Sequence, residues 1–170
     1  MRHGFIKVAA ATPDIRVADV DYNKGQIIKQ MDEAAEAGAK IIVFPELCIT
    51  GYTCSDLFLQ ESLLDGAGKA LLTLTEATRD KNMVVLAGLP LTVNGVLYNV
   101  AAVLHDGDIL GFVPKSYLPT YSEFYEGRHY HSGADIETDV LFNGRTYPFG
   151  TRLLFRCRQM PAFTLGIEIC

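Results

Sequence analysis

The sequence predicts an α/β fold, on three observations. Up to about residue 80, short apolar runs of strand length alternate with longer stretches of helical period. From Met83 the pattern becomes a series of strand-length runs punctuated by Asn94-Gly95 and Asp106-Gly107, the dipeptides of tight hairpins. Finally, Glu46, Lys115 and Cys170 each follow an apolar, strand-like run. Open α/β sheets carry their chemistry beyond the carboxyl ends of strands, so these three are the candidate site residues.

Residues 5–12 read as a buried first strand; the segment from Met1 to Pro13 has a basic start, but Lys7 interrupts an apolar stretch too short for a signal peptide. Asp19 or Asp21 can cap a helix running to about Ala37. On it Ile27, Ile28, Met31, Ala34 and Ala35 form one apolar face, and Gly38 supplies the stop. The next strand, Lys40 to Pro45, delivers Glu46, and after a Gly51-Tyr52 turn a second helical pattern runs from about Ser55 to Asp80. An antiparallel meander follows, with strands at 84–91, 96–105 and 109–113. A polar, aromatic loop is expected over residues 115–138, then short strands around Leu141, Tyr147, 153–155 and 163–169. No repeat, low-complexity segment or linker divides the chain, which reads as one unit over 1–170.

At 49% apolar residues and a net charge of −5, the chain can bury a sizeable core. Without a cluster of Lys and Arg there is no footprint for nucleic acid, and no apolar run is long enough for a membrane span. The four cysteines form no CxxC pair and have no histidines at zinc spacing, so no metal is expected; reduced thiols suit a cytoplasmic location. Cys48, Cys54 and Cys157 read as inert thiols, and the pair in Arg128-His-Tyr-His131 as loop packing. Gly66-Ala-Gly-Lys69 resembles a phosphate loop but lacks the earlier glycine and the hydroxyl residue after the lysine, and no Gly-x-Ser-x-Gly elbow is present.

A carboxylate, an ammonium and a thiol are the parts that amide hydrolysis through a thioester requires: base, oxyanion stabiliser and nucleophile. Taken singly each residue also has a plain reading, as a solvated loop Glu, a surface Lys and a small core Cys. The surrounding segments decide between them. Val43-Phe-Pro-Glu-Leu-Cys-Ile-Thr-Gly-Tyr52, Pro114-Lys-Ser-Tyr-Leu-Pro-Thr-Tyr-Ser-Glu-Phe-Tyr-Glu-Gly-Arg128 and Gly166-Ile-Glu-Ile-Cys170 resemble, in order, the three signature segments of the nitrilase (carbon–nitrogen hydrolase) superfamily. Gly51-Tyr52 followed by Asp56-Leu-Phe58, and Leu118-Pro-Thr-Tyr-Ser-Glu-Phe-Tyr-Glu126, are similar in particular to its branch of glutaminase domains from glutamine-dependent NAD+ synthetases.

This resemblance implies a nitrilase-type αββα sandwich with a Glu46, Lys115, Cys170 triad. Glu46 would take the thiol proton and later return one to departing ammonia, Cys170 would attack the side-chain amide of glutamine, and Lys115 would stabilise the oxyanion. Glu126 matches a second family glutamate that orients the lysine, and Tyr121 and Phe124 match positions near the glutamine. Family members associate, so a homo-oligomer is implied. The resemblance further implies that the chain is an incomplete N-terminal part, ending at the nucleophile before the second half of the sandwich. The ATP- and Mg2+-dependent synthesis would then belong to a C-terminal synthetase domain beyond it. A stand-alone amidase of the same superfamily and a catalytically silent interaction domain are the alternatives.

Overall fold

The computed structural model describes residues 5–170, so the basic start of the N-terminal segment lies outside the described residues. The strand itself, β1, is Val8–Ala10. Helix α1, Val20–Glu36, begins where the Asp19 carboxylate accepts the N–H of Tyr22 at 3.1 Å, while Asp21 adds negative charge to the first turn. It ends at Ala37 because Gly38 takes a φ of +77° and turns the chain back, with the N–H of Ala39 bonded to the carbonyl of Ala34. Ile27, Met31 and Ala34 are buried on the expected face, and Asn23 extends it by donating to the carbonyls of Arg16 and Ile49.

Strand β2, Ile41–Val43, leads into the turn that carries Glu46. The single long helix expected over 55–80 is instead two elements. A 3-10 turn at Ser55–Leu59 closes with the N–H of Gln60 on the carbonyl of Leu57, Gln60 is extended, and α2 begins at Glu61 and runs to Ala77. The break turns Phe58 into the interior and leaves Leu57 and Leu59 in solvent, a tertiary gain that helical period along the sequence does not register.

The meander forms as expected: β3 Val84–Val93, β4 Val96–His105 and β5 Asp108–Pro114. Asn94-Gly95 and Asp106-Gly107 both have positive φ at each residue, the type I′ geometry whose twist matches the flanking strands. Asn143-Gly144 repeats it between β6, Glu137–Phe142, and β7, Arg145–Gly150. Between β5 and β6 the expected loop contains a short helix, α3, Glu126–His129. Strands β8, Leu154–Arg156, and β9, Thr164–Gly166, pair only with each other. The strand expected over 163–169 therefore stops early: Gly166 pairs with Leu154, the first residue of β8, and the chain beyond has no ladder to join.

Seven strands make one sheet in the order β1-β2-β3-β4-β5-β7-β6. β1, β2 and β3 are parallel, the connections through α1 and α2 carrying the chain back between them. The rest is antiparallel except at β5 and β7, which meet in parallel through one register pair, Phe112 with Phe149. Ile42, Val85, Ala87 and Val100 point from the sheet towards Ile27 and Met31 of α1 and Leu71 and Leu74 of α2, making one core. One helical layer on one sheet layer is the unit that the expected αββα arrangement repeats. Because side chains alternate along a strand, Val8 and Val43 lie on the opposite face, where both are solvent-exposed.

Two glycines test this packing. A Cβ on Gly88 of β3 would lie 2.4 Å from the backbone N of Leu47 and 3.0 Å from the carbonyl carbon of Glu46, so Gly88→Ala must push the Glu46 turn away and should cost about 1–3 kcal/mol. Gly25 in α1 has open space around its Cβ position, and Gly25→Ala should stabilise by about 0.5–1 kcal/mol. Thermal or denaturant unfolding of the two variants would read both signs.

Candidate active site

Glu46 stands where β2 leaves the sheet. The N–H of Phe44 still bonds to the carbonyl of Leu86, Pro45 ends the ladder, and the N–H groups of Thr50 and Gly51 close onto the carbonyl of Leu47. Leu47 has a φ of +51°, unusual for a bulky residue, and is fully buried against Cys54, Phe58, Leu63 and Tyr130. Burial of this side chain offsets the backbone cost and locks the turn across Gly88.

Lys115 follows β5 directly. Its N–H bonds to the carbonyl of Asn99 at 2.8 Å and its own carbonyl accepts from Gly133, also at 2.8 Å, so the backbone is fixed on both sides. Val100 faces the helical core, and alternation therefore turns its neighbour Asn99 to the other face of the sheet, together with Lys115. Glu126 opens α3, its N–H on the carbonyl of Pro119. That short helix is tied down by Arg128, bidentate on Asp56 at 3.0 and 3.1 Å, and by the ring of His129 on the same carboxylate at 3.2 Å. The histidine expected to be loop packing is thus part of a clamp.

These three elements bring Glu46, Lys115 and Glu126 together. The Lys115 ammonium donates to Glu46 Oε1 at 2.9 Å, Glu46 Oε2 at 3.1 Å and Glu126 Oε1 at 2.9 Å. Its side chain is 2% exposed and that of Glu126 5%, whereas that of Glu46 is 21% exposed. Burial pushes the Glu46 carboxyl above its ordinary value; Lys115 opposes this, and the Glu126 charge adds to it. Burial also works against the Lys115 ammonium, but the two carboxylates outweigh it and hold the lysine above its ordinary value, so it is cationic at neutral pH. The site thus pairs a fixed positive charge with a carboxylate of heightened proton affinity.

Sequence reasoning missed three contributors. Asn99 donates from Nδ2 to Glu46 Oε1. The Tyr52 hydroxyl donates to Glu126 Oε1 at 2.6 Å, and burial with that bond holds the phenol well above its usual range, as a neutral donor. Gly88 provides the space for the Glu46 turn. Signals existed: a lone amide amid the apolar residues of 96–104, and a glycine inside a strand, which often marks close backbone approach. Tyr121 and Phe124 lie beside this cluster, with Phe124 edge-on to Tyr52 at 6.4 Å and to Tyr121 at 5.7 Å; Tyr121 itself is exposed.

Cys170 is not part of the cluster. It is exposed, lies beyond β9, and makes no hydrogen bond to Glu46 or Lys115. Among the other thiols, Cys48 is buried and pushed up to about 12 by that burial, and Cys54 is buried and raised by the same cause, which keeps both protonated. Gly66–Lys69 lies in the interior of α2, where it forms no phosphate cradle. Among the described residues no helix is long and apolar enough to cross a membrane, and no group of three His, Cys, Asp or Glu side chains is placed to hold a metal ion.

Comparison with known proteins agrees with this fold. The chain is 41% identical over 169 residues to the glutamine-dependent NAD(+) synthetase of Mycobacterium tuberculosis, covering 99% of this chain and 25% of that protein. The crystal structure of a glutamine-dependent NAD(+) synthetase from Cytophaga hutchinsonii superposes with a TM-score of 0.85 at 30% identity, over 90% of this chain and 26% of that one. An amidase from Nesterenkonia sp. shares the fold at 22% identity and a TM-score of 0.65, over 87% of this chain and 56% of that one. The chain thus spans about a quarter of the length of the curated relatives it matches. The carbon-nitrogen hydrolase family profile matches residues 7–170, and the chain belongs to that family.

Proposed function

We propose that this chain is the glutaminase unit of a glutamine-dependent NAD+ synthetase, hydrolysing the side-chain amide of glutamine and passing ammonia to a synthetase domain that consumes ATP and Mg2+. The observation that carries the reading is the buried Lys115 ammonium held between Glu46 and Glu126 on the face of the sheet away from the helices. The substrate comes from the relatives that match nearly all of this chain, which are named for their dependence on glutamine.

In this reading Glu46 takes the proton of the Cys170 thiol as the sulfur attacks the amide carbon, and the carbonyl oxygen becomes an oxyanion beside Lys115. Collapse breaks the C–N bond; the amine leaves as ammonia with the proton returned by Glu46, and a thioester remains. Glu46 then takes a proton from water as it attacks the thioester, and the second collapse releases glutamate and restores the thiol. Cys170 must reach Glu46 for the first step. The raised proton affinity of Glu46 suits a group that accepts and returns a proton, and Glu126 with Tyr52 anchors the lysine from behind. Phe124 and the exposed Tyr121 offer an aromatic wall for the bound amino acid.

In the full-length protein, Cys170→Ala should abolish glutamine hydrolysis and leave synthesis from added ammonia intact; retained glutaminase activity would move the nucleophile elsewhere. Lys115→Met should lower kcat by at least about 10²–10³. Because it leaves two carboxylates facing each other in a buried site, it should also destabilise the chain by about 3–5 kcal/mol, visible as a lowered melting temperature. Unchanged turnover in Lys115→Met would remove the oxyanion role.

A further inference from the structure

We propose that Asn99 is a positioning residue that sets both the orientation of Glu46 and the register of Lys115, and thereby selects Glu46 Oε2 as the oxygen that exchanges protons; this rests on the reading of Glu46 as the base. Glu46 and Lys115 are 69 residues apart in sequence, yet both are referenced to one residue in the middle of the sheet. The side chain of Asn99 donates to Glu46 Oε1, and its backbone carbonyl accepts the N–H of Lys115 at 2.8 Å. Its cross-strand neighbour on β3 is Pro90, which has no N–H to offer it.

The two oxygens of Glu46 are consequently unequal. Oε1 accepts from both Asn99 and Lys115, while Oε2 accepts only from Lys115, at the longer distance of 3.1 Å. The less saturated oxygen is the one free to bind a proton. Asn99 achieves this at a cost to the fold: it is 1% exposed, and its Oδ1 has no hydrogen-bond partner. An apolar side chain of the same shape would remove this unpaired oxygen, and Glu46 would keep Lys115 as a partner. On folding grounds alone, then, an amide is not required here.

The test separates position from stability. Asn99→Leu and Asn99→Asp are made in the full-length protein, and glutamine hydrolysis is followed across pH together with thermal unfolding. The charged and titratable groups facing Glu46 are Lys115 after β5, Glu126 on α3, and, farther out, the Tyr52 and Tyr130 phenols, none of which is altered. For Asn99→Leu, kcat should fall about 10- to 100-fold with KM little changed, at an equal or higher melting temperature. Its acid limb should move to higher pH, because the lost donor favoured the ionised carboxylate. Asn99→Asp, which adds a carboxylate, should move the limb further in the same direction. Wild-type kcat and pH profile in Asn99→Leu would overturn the proposal, as would a loss of activity that only tracks a loss of melting temperature, or failure of both variants to fold. Glu46→Gln serves as the control. If it stays active, the reading of Glu46 as base is wrong; if it is inactive while Asn99→Leu matches wild type, the positioning role alone fails.

Discussion

A single buried ammonium shared by two carboxylates governs how this chain is arranged. Removing any of these charges from water is expensive, and only close, saturated hydrogen bonding makes the burial tolerable. Lys115 answers with three hydrogen bonds to three of the four carboxylate oxygens, Glu126 Oε2 alone being left without a partner, and the surrounding structure keeps those oxygens in reach. One carboxylate arrives from a strained turn braced on Gly88, the other from a four-residue helix clamped by Asp56. The same burial explains the chemistry: it raises the proton affinity of Glu46, the neighbouring Glu126 charge adds to that, and Lys115 opposes it.

The fold was largely legible because its signals are local. The hairpin dipeptides Asn94-Gly95 and Asp106-Gly107 demand positive φ, and few other structures satisfy them; α1 carried its cap, apolar face and glycine stop within one window. What stayed hidden was decided by tertiary contact. The break at Gln60 is set by the burial of Phe58, and the early end of β9 by the length of its partner strand. Neither is written in the residues that change state.

The site shows the same division. Glu46, Lys115 and Glu126 could be picked out because each sits in a recognisable segment at an element boundary. Asn99 and Tyr52 carried weaker signals, a lone amide inside an apolar strand and a tyrosine closing a turn, whose roles become definite only when the sheet brings them against a carboxylate from elsewhere in the chain. Cys170 was singled out by its segment, and its exposed place beyond β9 follows from a small hairpin that does not join the main sheet.

The parallel junction of β5 with β7 rests on one register pair, Phe112 and Phe149, whereas β6 and β7 are zipped along their whole length. Such an arrangement is a seam. Side chains, not backbone, hold it: Phe149 is fully buried edge-on to Tyr98 at 5.3 Å, and Phe142 and Tyr147 lie edge-on to Phe112 at 5.7 and 6.0 Å. The Glu46 turn and the strand pair carrying Asn99 and Lys115 lie on the β1–β5 side of that seam, whereas Glu126 stands in the connection leading to β6, so the Lys115–Glu126 ion pair also ties that connection back to the ladder.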